Sequence, residues 1–471
     1  MNSTIPYADL GHCTVSNTPH ATIQRIMEAQ RTYFQSGATR SYAFRRQQLT
    51  RLEEALHTWE KPLTEALWHD LHKSYEEAYL TELGIVLGEI RTHRRHLRRW
   101  MGPCKVCSPL KMFPSRSRIL TEPLGSALII APWNYPVQLL LNPLIGAISA
   151  GCTALLKPSP YVPHTSQVIE QLIRETFDEQ YIAVVQGNRE VNGLLLAERF
   201  DRIFFTGSPA LGRRIMEAAA VHLTPVILEL GGKSPCIVDE DADLRVAARR
   251  IAWGKSLNAG QTCIAPDYLL LHEAIREPFL NELERAFHAL LGADTSQSRH
   301  FARIVNERAF DRLSGYLTEG RIRFGGRTNR QERFIEPTVL EEVTPTAKVL
   351  QEEIFGPILP VVTVRHIEEA ITHITEREKP LALYYFGTAH RHEVLQRTSS
   401  GGACLNDTIM QIANERLPFG GVGQSGMGRY HGYDSYLAFS HRRSVVSTTT
   451  RFDLPLRYMP YGLFRWIKGL L

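Results

Sequence analysis

RIFFTGSPALG, residues 202–212, carries the signals of a strand, a turn and a helix start in direct succession. RIFFT is a short apolar run of the kind that a buried strand shows. Gly207 allows a tight turn, and a helix is predicted to start near Pro209. Backbone N–H groups at a helix N-terminus favour negative charge, so this is the corner at which α/β folds hold phosphates. The spacing is G-x-x-x-x-G, not the G-x-G-x-x-G of common dinucleotide-binding turns. Taken alone, the corner fits a connection without ligand about as well.

The same alternation extends in both directions. Upstream lie SALIIA (Ser126–Ala131), ALLK (Ala154–Lys157), a helical period over 165–177 and a strand at Ile182–Val185. After Glu229 a second series follows: Pro235–Val238, a helix from Leu244 to Ser256, Tyr268–His272, a helix from Glu277 to Leu291, and Pro360–Val364. Strands alternating with helices predict parallel, doubly wound sheets, here two α/β layers joined near Leu230–Gly232. Residues 21–100 read as helical, with Ile23, Ile26, Met27, Leu49, Leu52 and Leu56 at three- and four-residue steps. The basic run Arg91–Arg99 is expected to be a solvated helix face. Pro103, Pro109 and Pro114 then end the helical stretch.

The 471 residues are 43% hydrophobic and 22% charged, which argues against global disorder or a coiled coil. Basic residues (54) are interspersed with acidic ones (49), net +5, so a mixed surface and no nucleic-acid partner are expected. Seven cysteines (Cys13, Cys104, Cys107, Cys152, Cys236, Cys263, Cys404) without regular spacing argue against a disulfide scaffold and for a reducing cytoplasm. Cys104-Lys105-Val106-Cys107 lacks the second pair that a zinc ribbon needs and reads as a proline-bounded loop, so no metal site is expected. Met1–His20 lacks the apolar region of a secretory signal. No apolar run reaches the ~18 residues that span a bilayer. Near the end, Leu463, Phe464, Trp466, Ile467, Leu470 and Leu471 alternate with Arg465 and Lys468. That amphipathic pattern fits docking on the protein body or weak contact with a membrane surface.

Three further stretches carry chemistry. In Asn258-Ala259-Gly260-Gln261-Thr262-Cys263, small residues let a substrate approach a thiol, although many cysteines are only small buried hydrophobes. In Leu228-Glu229-Leu230-Gly231-Gly232-Lys233, a carboxyl between leucines would have the raised pKa of a general base, or else would cap the next helix or pair with Lys233. In Pro132-Trp133-Asn134-Tyr135-Pro136, two prolines stiffen a loop at a strand end. There the Asn134 amide either donates to an oxyanion or closes an Asx-turn.

Seven strings in order along the chain resemble the aldehyde dehydrogenases: APWNYP (131–136), GAISAGCTALLKPS (146–159), FFTGSPALG (204–212), LELGGKSP (228–235), NAGQTC (258–263), EEIFGP (352–357) and LPFGGVGQSGMGRYHG (417–432). The resemblance covers Ile23 to Leu471. SGATR (36–40), QTCIAPDY (261–268), NDT (406–408), SGMGRYHG (425–432) and RYMPY (457–461) are most similar to the class-3, fatty-aldehyde-type branch.

The resemblance implies an aldehyde-dehydrogenase-like α/β fold. Its parts are a Rossmann-type NAD(P)-binding domain (1–114 and 124–230), an α/β catalytic domain (231–405), a return segment (406–433), a small β oligomerisation element (115–123 with 434–450) and a tail (451–471). It implies a homodimer that oxidises a small-molecule aldehyde, with NAD or NADP as cofactor. Cys263 would attack the aldehyde, Asn134 and the Cys263 N–H would hold the oxyanion, and Glu229 would be the general base. Glu353 and Phe355 would hold the nicotinamide end together with Trp133. Lys157 would reach the adenosine ribose, and Gly207, Ser208 and Gly212 would frame the pyrophosphate turn. Pro160 stands where many NAD-preferring relatives carry a Glu, which removes a bias against NADP. Gln411 stands where several class-3 relatives carry His. Acyl transfer to coenzyme A or phosphate is disfavoured by Glu229. A redox-free cysteine hydrolase leaves 207–212 and EEIFGP without purpose. A non-catalytic protein does not explain Cys263, Glu229 and Asn134 together.

Overall fold

The computed structural model describes residues 14–453, 458–462 and 464–468. Strands Ser126–Ile130, Thr153–Lys157, Ile182–Val184, Arg202–Thr206 and Val226–Glu229 form a parallel sheet, to which Gly426–Met427 adds an antiparallel edge. Alternate side chains of a strand point to opposite faces. Leu128 and Ile130 accordingly pack with Ile23, Ile26, Leu195 and Ile215 on one face. Ala127 and Ile129 pack with Leu140, Leu144 and Ile169 on the other. Both faces are covered by helices, which is why these strands read as unbroken apolar runs.

The second sheet has the order Arg321–Phe324, Thr338–Glu341, Ile358–Val364, Tyr268–His272, Pro235–Val238, Ala382–Phe386, Gly402–Leu405. Only its first pair is antiparallel. The chain crosses from the first sheet to the second through Leu230–Ser234. Between the first two strands of the first sheet lies the helix Gln138–Ala150, every residue of which is buried. It tolerates Pro143 and ends on Gly151 at φ 89°, a left-handed position that glycine adopts without strain.

A third, antiparallel sheet joins Cys104–Val106, Arg116–Pro123 and Ser440–Ser447, with Ser440 opposite Pro123 and Ser447 opposite Arg116. Two expectations are corrected here. Cys104-Lys105-Val106 is an edge strand and not a loop, because Cys104 pairs with Ile119, a distant partner that local proline signals do not reveal. Residues 434–438 of the expected 434–450 element are helical, within Gly432–Ala438, and the strand begins only at Ser440.

The basic run lies in helix Gly84–Trp100, with Arg91, Arg95, Arg98 and Arg99 exposed but His93 and Leu97 buried. Of the tail pattern, Leu463, Leu470 and Leu471 lie outside the described residues, as does Arg457 of RYMPY, while Phe464–Lys468 is a short helix. Among the described residues no helix is long and apolar enough to cross a membrane.

Candidate active site

The register of the first sheet sets Glu229 beside Thr206, each the last residue of its strand. The neighbouring strand ends at Ile130 and runs into Pro132-Trp133-Asn134. From the second sheet come the loops that lead into Tyr268–His272 and Ile358–Val364, which carry Cys263 and then Glu353 and Phe355. The C-terminal edge of one sheet thus faces the N-terminal edge of the other. A cavity of about 250 Å³ there is lined by Asn134, Glu229, Cys263, Trp133, Gly207, Ser208, Glu353 and Phe355. Lys157 and Gly212 do not line it.

Glu229 is 1% exposed, and neither of its carboxylate oxygens has a hydrogen-bond partner. Burial, and after it the neighbouring Glu353, push its carboxyl pKa well above the usual range. Pairing with Lys233 is ruled out: Lys233 bonds Asp267 and donates to the carbonyls of Val349 (2.9 Å) and Glu352 (2.8 Å). Glu353 is itself pushed up to about 8, first by burial and then by Asp267, and its Oε1 is unpartnered.

Cys263 is half-buried at the end of a tightly held loop. Asn258 and Ala259 adopt left-handed conformations (φ 49° and 52°) that non-glycine residues rarely take. Gln261 braces them. Its Nε2 donates to the carbonyls of Asn258 and Arg303, both at 3.0 Å, and its Oε1 accepts the Val305 N–H at 3.0 Å. Tyr135 Oη and Thr262 Oγ1 share a 2.7 Å hydrogen bond. Burial raises the Cys263 thiol pKa, and the carboxyls of Glu229 and Glu353 raise it further. Asn134 Nδ2 donates to Gln261 O at 3.0 Å, which leaves its second hydrogen for the cavity it lines.

Sequence reasoning missed Thr206 and Arg312, which also line the cavity. Arg312 donates to Ile354 O (2.7 Å) and so grips EEIFGP, yet it is one arginine on an ordinary amphipathic helix, with no local signal. Gln411 accepts from Cys404 Sγ (2.7 Å), donates to Tyr384 Oη (3.3 Å) and does not reach the cavity. Among the described residues no group of three or more His, Cys, Asp or Glu side chains is placed to hold a metal ion.

A thiol, a buried carboxyl with unbonded oxygens and an amide with a spare hydrogen on this fold define a class, and the comparisons agree. The chain belongs to the aldehyde dehydrogenase family, whose sequence profile (Aldehyde dehydrogenase family) matches residues 1–445. It is similar to 4,4'-diaponeurosporen-aldehyde dehydrogenase of Staphylococcus aureus (strain NCTC 8325 / PS 47), 45% identical over 452 residues, covering 95% of this chain and 98% of the relative. Aldehyde dehydrogenase family 3 member B1 of Mus musculus is 45% identical over 444 residues, covering 93% and 94%. Aldehyde dehydrogenase, dimeric NADP-preferring, of Rattus norvegicus is 45% identical over 427 residues, covering 90% and 93%. The solved structure of the substrate-bound state of Staphylococcus aureus AldH superposes with a TM-score of 0.94 at 44% identity, covering 95% of this chain and 99% of that one. The chain is an NAD(P)-dependent aldehyde dehydrogenase of the class-3 type, as its motifs led one to expect.

Proposed function

We propose that Cys263 is the nucleophile, Glu229 the general base, and Asn134 Nδ2 with the Cys263 N–H the oxyanion donors. The observation that carries this is the convergence, in one cavity, of a partly exposed thiol, a buried carboxyl with both oxygens unbonded, and an amide with a spare hydrogen. The raised thiol pKa means that Sγ needs a base, and the raised Glu229 pKa makes its carboxylate, in the same cavity, a stronger base than an exposed one. Sγ then bonds to the aldehyde carbon while the carbonyl electrons move onto oxygen, where the two N–H groups meet them. A nicotinamide held by Trp133, Glu353 and Phe355 would supply the hydride acceptor for this carbon, the two-electron oxidation that takes the thiohemiacetal to a thioester. Glu229, once it has given the thiol proton up to solvent, takes a proton from water, whose oxygen adds to the thioester carbonyl. The C–S bond breaks, the sulfur regains a proton, and a carboxylic acid departs.

The residues present fit a dinucleotide. Ser208 precedes helix Pro209–Ala220 without using its side chain as a cap, so N–H groups of the first turn remain available. Gly207 and Gly231 leave bare backbone: a Cβ at Gly231 would lie 2.0 Å from Glu353 Oε2. The unpartnered Glu353 Oε1 suits a ribose hydroxyl, and Trp133 and Phe355, 5.4 Å apart edge to face, suit the nicotinamide end. Lys157 is 2% exposed and donates to Pro158 O at 2.8 Å, with two further hydrogens left for the second ribose. Gly212 gives its N–H to Ser208 O (2.9 Å), so its part is close packing: a Cβ there would meet Leu230 at 2.8 Å. The protein is proposed to be a cytoplasmic homodimer acting on medium or long aliphatic or aromatic aldehydes. The domain boundaries implied by the resemblance are kept, with the oligomerisation strand starting at Ser440.

Two variants test the roles. Cys263→Ala should abolish turnover. Glu229→Gln should keep a first-turnover burst of NAD(P)H and then stall as a detectable acyl-enzyme; steady turnover in either variant overturns the assignment.

A further inference from the structure

Behind the nucleophile loop lies a buried charge cluster that no step above uses. Lys73 is 0% exposed, and its Nζ donates to Glu82 Oε1 and to the backbone O of Asn134, both at 2.7 Å. Glu82 is also 0% exposed, and its Oε2 accepts the N–H groups of Val137 (2.9 Å) and Gln138 (3.1 Å) at the start of helix Gln138–Ala150. Glu77 Oε1 accepts the N–H of Asn258 at 2.7 Å. Lys73 Nζ further lies 3.9 Å from the centre of the Tyr135 ring, whose hydroxyl bonds Thr262.

A dry ammonium and two dry carboxyls are costly unless every hydrogen bond is made, so their placement is specific. Besides the N–H groups of Val137 and Gln138 that anchor Glu82, their backbone contacts fall on two points. One is the carbonyl of Asn134, from which one oxyanion donor hangs. The other is the N–H of Asn258, the first left-handed residue of the loop that ends at Cys263, the second donor. Asn258 Nδ2 also donates to Asn134 O at 2.9 Å, which closes the circuit.

We propose that Lys73, Glu77 and Glu82 are positioning residues that fix the separation of the two oxyanion donors. Lys73, anchored by Glu82, holds Asn134, and Glu77 holds Asn258 in its strained conformation. This rests on the roles given to Asn134 and Cys263 above. The groups touch neither substrate nor cofactor and act only through geometry.

The test uses the full-length enzyme with an aldehyde substrate and saturating NAD or NADP. The NAD(P)H burst rate, the KM for the cofactor and the melting temperature are measured for Lys73→Met, Glu77→Ala and Glu77→Gln. Losing one oxyanion donor costs ~10²–10³ in rate elsewhere, so displacing one should slow the burst by roughly 10-fold or more. The cofactor KM should stay within about twofold, since the cluster does not touch that side. Glu77→Gln, whose amide oxygen still accepts the Asn258 N–H, should recover most of the loss seen in Glu77→Ala. Folded Lys73→Met and Glu77→Ala proteins with wild-type burst rates would overturn the proposal, as would Glu77→Gln as slow as Glu77→Ala. If Lys73→Met does not fold, the Glu77 pair decides. A Cys263→Ala enzyme that still turns over would instead sink the underlying site assignment, whatever the Glu77 variants do.

Discussion

Glu229 and Glu353 face one cavity, and the carboxyl of Glu353 helps Glu229 to hold its proton. Because Glu353 raises the Glu229 pKa, Glu353→Gln should move the acid limb of the deacylation rate to lower pH, which single-turnover assays across pH would show. The same group links stability to pH. Its folded pKa, about 8, lies above its ordinary 4.5, so the folded state keeps a proton that the unfolded chain has lost. The stabilisation is therefore complete below pH ~4.5 and fades as pH rises towards 8. The cofactor-free enzyme should melt at falling temperature across that window, and Glu353→Gln should flatten the fall; identical slopes would refute the linkage. Glu229 and Cys263 were visible as candidates because a carboxyl between leucines and a thiol among small residues are odd locally. Lys73 was not, since HKSYEEA is an unremarkable helix junction, and its meaning lies in a contact with a residue 61 positions away.

At the scale of elements, the loop Asn258–Cys263 owes its shape to the side chain of Gln261 rather than to its own backbone preferences. Gln261→Ala removes three buried hydrogen bonds and strands the partners on Asn258, Arg303 and Val305. Each buried group left unpaired costs about 1–3 kcal/mol, so a destabilisation of several kcal/mol is expected in urea melts, with a slower burst in whatever folds. NAGQTC marked this loop in the sequence, but the braces run to 303 and 305, beyond any local window. Strands of the first sheet were legible because both faces are covered and the runs are apolar throughout. Cys104–Val106 was not, since its three residues are exposed and only the partner strand makes them a strand.

For the whole molecule, the strand Ser440–Ser447 forms the outer edge of the small sheet, and unpaired edges readily take a further strand. Val446 is 54% exposed, so Val446→Glu should hardly change the stability of a single subunit. If this sheet joins two copies, the same change should shift a dimer towards monomer in light scattering; an unaltered dimer places the interface elsewhere. Pro160, at the end of the segment that carries Lys157, offers no carboxylate to a ribose. Steady-state assays should accordingly give a preference between NAD and NADP below about a hundredfold, whereas a larger one in favour of NAD would defeat that expectation.

The crossover between the two large sheets is short: only Leu230 to Ser234 separate Val226–Glu229 from Pro235–Val238. In any parting of the two sheets, such a link would act as the rivet of a pair of scissors. Any parting of the blades is greatest at the far rim and least at the pivot, and Glu229 sits beside that pivot. A long molecule entering at the rim would therefore ask little movement of the carboxyl at 229.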